Sequence, residues 1–164
     1  MDEVAHAAGV SRQGLYLHFP SKEDLFRAAV AHALQRSQAA VVAVLDAPDG
    51  SVEARLVGAF DQWVGQFVEA VGADVDDLVD ACRALLGPVV DEHQARFTAR
   101  IAALLDRGGV AAAYAPLGLT AQQLSAMLCA TAQGLKAKRT TRQAFVEGMR
   151  VAVRALCGPV ARGR

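Results

Sequence analysis

The sequence predicts an all-α chain, and three observations carry that prediction. Apolar residues recur at spacings of three and four, as at Leu56, Phe60, Val64 and Phe67, which is the stripe of an amphipathic helix. No run alternates apolar and polar residues with the enrichment in Val, Thr and aromatics that marks a strand. Ser or Thr stands just ahead of the periodic runs, at Ser11, Ser21, Ser51, Thr120 and Thr140, and Gly or Pro stands just behind them. That is the punctuation of helix starts and stops.

Taken in order, the first helix spans Asp2 to Ala8 and stops at Gly9, a residue suited to the left-handed position after a helix. Ser11 caps a short second helix, Arg12 to His18, which ends before Pro20 because the residue ahead of proline avoids the helical region. Ser21 opens a long third helix, Lys22 to Leu45, with Asp24 completing a weakened capping box and Glu23 and Asp24 in the favourable first turn. Ser51 opens the next, whose apolar face reads Val52, Leu56, Phe60, Val64, Phe67, Val68 and Val71, closed by Gly72. A helix from Asp74 turns Leu78, Val79, Cys82, Leu85 and Leu86 inward and ends at Gly87-Pro88, and another runs from Pro88 to Asp106, stopped by Gly108-Gly109. "GGVAAAYAPLG" reads as a loop or broken turn. Thr120 with Gln123, and Thr140 with Gln143, form capping boxes for the last two helices, which run to Lys138 and to Leu156 before Gly158-Pro159.

The bulk numbers narrow the function. A length of 164 residues suits one compact domain, or a large one with a small appendage, and needs no disulfide staples. Seventeen basic and seventeen acidic side chains cancel, so any surface for nucleic acid must be local. Cys82, Cys129 and Cys157 lack metal-ligand spacing and sit among apolar residues, as buried thiols of a reducing cytoplasm do. Asp2 and Glu3 at the start do not make a signal peptide, and no stretch is long and apolar enough to span a membrane. Catalysis has no residues behind it: there is no G-x-S-x-G and no phosphate-cradling glycine loop. No cofactor is expected, and no metal. His93 has only Asp91 and Glu92 beside it, which point differently, and a solvated helix start explains all three. Lys136, Lys138, Arg139 and Arg142 around the last interhelical turn complement a helix C-terminus.

The segment "DEVAHAAGVSRQGLYLHF" has the form helix, glycine turn, helix. Val4, Ala5 and Ala8 are expected to face inward, Val10 to plug the corner, and Leu15 and Phe19 to anchor the second helix. Arg12, Gln13, Gly14, Tyr16 and Leu17 remain outside. On a recognition helix, Arg can grip guanine through two hydrogen bonds and Gln can grip adenine. Gly14 costs the helix about 1 kcal/mol relative to Ala, and close approach to DNA would give it a purpose. Tyr16, His18 and Lys22 are candidates for phosphate contacts. The competing reading is an ordinary helical pair with Tyr16 and His18 merely solvated. Residues 1–27 carry Arg12, Lys22 and Arg27 against Asp2, Glu3, Glu23 and Asp24, so charge does not decide, and a structural role at helix starts suffices for the four acids.

The run "VAHAAGVSRQGLYLHFPSKEDLF" resembles the DNA-binding segment of the tetracycline-repressor (TetR) family of transcriptional regulators. Ala8-Gly9-Val10-Ser11 matches its turn, Leu15-Tyr16-Leu17-His18-Phe19 its aromatic run, and Lys22 the lysine opening the next helix. The resemblance implies DNA contacts by Ser11, Arg12, Gln13, Gly14, Tyr16, His18 and Lys22. Arg12, Gln13 and Gly14 would read base edges, and Tyr16, His18 and Lys22 would hold phosphates. It implies a helix-turn-helix domain at residues 1–30 and an effector-binding and dimerisation domain at 31–164, in a homodimeric, cytoplasmic, bacterial repressor that a small molecule releases from double-stranded operator DNA. The last two helices would form the dimer interface, with Met149 and Val151 upon it. It also implies a further helix ahead of the turn; the chain starts at Met1, at the edge of the second, and an upstream start is the expectation. Without that helix Val4, Leu15 and Phe26 would be exposed. The alternative function is a dimeric small-molecule-binding protein with a degenerate DNA-binding head. For the effector, the stripe Phe60, Trp63 and Phe67 reads first as core; as a pocket wall its expected companions are Cys82, Phe97 and Met127.

Overall fold

The computed structural model of the chain describes residues 1–68, 75–138 and 141–161, with the backbone alone described at 75–85 and 159–161. Among these residues all regular structure is helical. The α-helices are α1 (Asp2–Ala7), α2 (Arg12–His18), α3 (Lys22–Leu45), α4 (Val52–Trp63), α5 (Val75–Arg107), α6 (Val110–Tyr114), α7 (Ala121–Ala137) and α8 (Arg142–Ala161). Single 3-10 turns stand at Gly65–Phe67 and Ala115–Leu117.

The polar punctuation behaves as the sequence predicts. The Ser11, Ser21 and Ser51 hydroxyls accept the N–H groups of Gly14, Asp24 and Ala54, each satisfying one otherwise orphaned donor. Thr120 and Gln123 close a full capping box. Asp24 does something different from a capping-box Glu: it accepts the Ser21 hydroxyl at 2.7 Å. The last helix is capped one residue later than expected, with Thr141 Oγ1 accepting from Ala144 N–H at 3.2 Å; Thr140 lies outside the described residues.

Four expectations need correction, each for a tertiary reason. The helix opened by Ser51 ends at Trp63. At Gly65 the chain passes so close that a Cβ would lie 2.3 Å from Asp61 Oδ1, and Asp61 is held in a two-bond fork by Arg142, at 2.8 and 2.7 Å. Val71 and Gly72, given to the same helix, lie outside the described residues, as does Asp74. Second, Gly87-Pro88 does not divide two helices, because α5 runs through it. Proline removes only the N–H that the Ala84 carbonyl would accept, a cost of about 3 kcal/mol. Burying Phe97, Ile101, Leu104 and Leu105 further along, at roughly 1.5–3 kcal/mol each, outweighs it. The side chains of Leu78, Val79, Cys82 and Leu85 lie outside the description; Leu86 is buried. Third, α8 continues past Gly158-Pro159 to Ala161. Tyr114 donates its hydroxyl to the Leu156 carbonyl at 2.9 Å, next to the Ala155 carbonyl from which Pro159 withholds an N–H. Fourth, the expected loop contains α6, which forms because Val110 and Ala111 enter the core.

The core lies among α3, α4, α5, α7 and α8. Leu56, Phe60, Ile101, Leu105, Leu128, Phe145, Met149 and Val153 are fully buried in one cluster. α4 sits between α3 and α8, and α5 packs on α7 and α3. Two buried serines return their hydroxyls to carbonyls on neighbouring helices, Ser37 to Gln62 and Ser125 to Thr98, so neither leaves a polar group unsatisfied.

The head stands outside that cluster. Only Ala5 and Leu15 are buried there. Val4, Ala8 and Val10, expected inside, are exposed, and Phe19 and Phe26 are half-buried. Helices this short present one inward position each. Val10 shapes the corner through its backbone instead: its N–H reaches the Ala5 carbonyl at 3.0 Å, Gly9 N–H reaches His6 at 3.1 Å, and Gly9 takes φ +67°. This is a Schellman motif, and only glycine enters that left-handed region cheaply.

Candidate nucleic-acid interface

Seven residues were singled out for DNA, and α2 with the first turn of α3 carries them on one short stretch. Ser11 is the cap, its oxygen committed to Gly14 N–H at 2.9 Å. Arg12, Gln13, Tyr16 and His18 are exposed on α2, and Lys22 is exposed at the first position of α3. Leu17 is 79% exposed, an apolar side chain aimed at solvent from the same helix. Such a residue suits contact with a thymine methyl.

Gly14 has a local explanation as well as a functional one. A Cβ there would stand 3.2 Å from Ser11 Oγ, tight against the cap. Gly14→Ala therefore sets a helix-propensity gain of about 1 kcal/mol against slight crowding of one hydroxyl. Thermal stability is expected to hold or rise slightly, while DNA affinity falls if the backbone at Gly14 lies against DNA. Unchanged affinity, read by fluorescence anisotropy, would leave the glycine with only the cap to serve.

Arg12 is not free in solution. Its Nη1 donates to Asp2 Oδ2 at 3.1 Å, and its guanidinium lies 5.7 Å from the centre of the Tyr16 ring. Hydrogen bonding with Tyr16, followed by the charge of Asp2, raises the Arg12 pKa above its ordinary value. Asp2 is the participant that the sequence did not reveal. It lies ten positions away, and its place at a helix start already accounted for an acid.

Three of the residues named for an effector site pack against one another. Phe60, Trp63 and Phe97 meet in the core: Trp63 stacks on Phe97 at 4.0 Å and 14°, and Phe60 meets Phe97 edge-on at 5.1 Å. Phe67 is half-buried and Met127 is 49% exposed on α7; the Cys82 side chain is outside the description. Beside the stack lies a cavity of about 10 Å³ lined by Gln38, Val41, Trp63, His93, Arg96, Phe97 and Arg100, room for one water. Burial, and then Arg96, lowers the His93 pKa, favouring the neutral ring. Cys129 and Cys157 are buried free thiols. Burial raises both, Cys157 to about 11, so they stay protonated and inert near neutral pH.

Among the described residues no group of three or more His, Cys, Asp or Glu could hold a metal ion, and no helix is long and apolar enough to cross a membrane. Residues 1–29 match the family model of the bacterial regulatory proteins of the tetR family. No curated protein and no solved structure matches the chain.

Proposed function

We propose that the chain is a DNA-binding transcription regulator of the tetR kind, whose family model matches residues 1–29, and that it acts as a cytoplasmic, homodimeric bacterial repressor released from its operator by a small molecule, without catalytic activity. The observation that carries this reading is the exposed face of Arg12, Gln13, Tyr16, His18 and Lys22 on a capped helix-turn-helix. In the dimer, two such faces would enter successive major grooves roughly 34–36 Å apart. The outer side of the last two helices suits a partner. Ala126, Met127 and Ala130 of α7 and Ala144, Val151 and Ala155 of α8 are exposed, small or apolar side chains that let helices approach closely.

Release needs a mechanical link, and α3 fits that role. It is about 36 Å long at 1.5 Å per residue. Its start adjoins the recognition helix, and its second half buries Ser37, Val41 and Leu45. The Ser37 hydroxyl fastens it to Gln62 at 3.1 Å, beside Trp63. A ligand that shifts the Trp63 region would tilt α3 and change the spacing of the two heads. It must bind that tilted state more tightly than the DNA-bound one, since only differential affinity moves the equilibrium.

Anisotropy with DNA flanking the gene for this chain, at two salt concentrations, tests the reading. Tight binding that weakens steeply with salt is expected. Lys22→Ala and Tyr16→Phe should weaken binding to every sequence, and Lys22→Ala should reduce the salt slope by about one. A folded dimer that binds no DNA would instead point to the small-molecule-binding alternative.

A further inference from the structure

We infer that Asp2 is a specificity-determining residue of the head, a positioning residue that holds the Arg12 guanidinium for one particular base pair; this rests on the DNA-binding reading above. The pair joins α1 to α2 through Arg12 Nη1 and Asp2 Oδ2 at 3.1 Å, with side chains 61% and 70% exposed. An ion pair that open to water contributes about 0–1 kcal/mol to stability, so holding the head together is not its main consequence. Position explains it no better. Asp2 and Glu3 both stand in the first turn of α1, where either satisfies the helix dipole, yet Asp2 is the one that engages the first residue of the recognition helix.

The consequence lies in what the contact leaves available. With Nη1 held by Asp2 and the guanidinium 5.7 Å from the centre of the Tyr16 ring, the cation is fixed from two sides on the outer face of the recognition helix, and an arginine so placed can present a fork of two parallel donors. That fork matches O6 and N7 of guanine. An unrestrained arginine has many rotamers and can settle on a phosphate of any sequence. A carboxylate against Nη1 both narrows those rotamers and repels the phosphates that compete for the cation. Asp2 therefore lowers affinity for DNA in general and raises discrimination at one position.

The experiment selects sites from a random duplex pool with the 164-residue chain. It then measures anisotropy on every single-base-pair variant of the selected site for the unaltered chain, Asp2→Asn, Arg12→Ala and the double variant. Arg12→Ala should lose about tenfold discrimination, all at one base pair. Asp2→Asn should lose most of that discrimination at the same base pair, keep it elsewhere, and bind random DNA as well as or better than before. The double variant should lose no more than Arg12→Ala alone, because the two act as one unit. Discrimination left intact in Asp2→Asn, with affinity shifted equally for all sequences, would overturn the inference and leave Asp2 a simple surface charge. Failure of the unaltered chain to enrich any sequence would instead overturn the DNA-binding reading, a result the variants do not enter.

Discussion

Met149→Asp is expected to unfold the helical body, whereas Val151→Asp, two positions along the same helix, is expected to leave it folded and split the proposed dimer. From sequence both residues belonged to the interface. In the structure Met149 is fully buried in the cluster with Phe145 and Val153, and Val151 is 64% exposed. An aspartate at 149 removes a packed thioether and places a carboxylate among aliphatic side chains. Together these cost on the order of 5 kcal/mol, comparable with the total stability of a domain, about 5–15 kcal/mol. Circular dichroism should show lost helix, or a melting temperature lowered by well over 10 °C given roughly 2–8 °C per kcal/mol. At 151 the carboxylate meets water in the monomer and would meet a partner helix in the proposed dimer, so the monomer should melt normally and sedimentation should report half the dimer's mass. Full mass for a folded Val151→Asp would place the partner on another face.

That pair of residues shows where sequence reasoning stops. Period and punctuation located the helices, because capping is local: Ser11, Ser21, Ser51 and Thr120 each need only the N–H three residues on. The same local logic failed at Gly87-Pro88 and Gly158-Pro159. A breaker is a local cost of a few kcal/mol, and the gain that overrode it in α5, burial of Phe97 and Ile101 against other helices, is invisible until the chain is folded. Rotation about a helix axis is equally hidden. Met149 and Val151 differ by some 200° around α8 at 3.6 residues per turn, and in a helix so rich in Ala and Val the pattern did not say which side faced the core. The candidate interface was more legible than the core. Arg12, Gln13, Tyr16, His18 and Lys22 are all exposed, because α2 is short and a polar residue on it has nowhere else to point. Asp2 was missed since an ion pair across a turn leaves no periodic trace.

Phe97→Ala is expected to cost about 3–5 kcal/mol, the range for removing a fully packed aromatic, and the size of the loss decides what the aromatic group is for. Phe97 is 3% exposed, stacked on Trp63 and met edge-on by Phe60. Its truncation would strip contacts from both rings and leave a void that the helices cannot easily close. Had these rings walled an open effector pocket, Phe97 would already face space on one side, and the loss measured by urea denaturation would fall below about 1.5 kcal/mol. The cavity beside the stack, about 10 Å³, holds no organic molecule. A ligand that reached Trp63 through this cavity would have to part α3 from α5 to enter. Parting them costs packing, so the apparent affinity of such a ligand falls by the fraction of molecules already open. The same displacement moves the helix that carries the DNA-binding head. A full-sized loss for Phe97→Ala would thus support a closed resting state in which the act of binding is itself the signal.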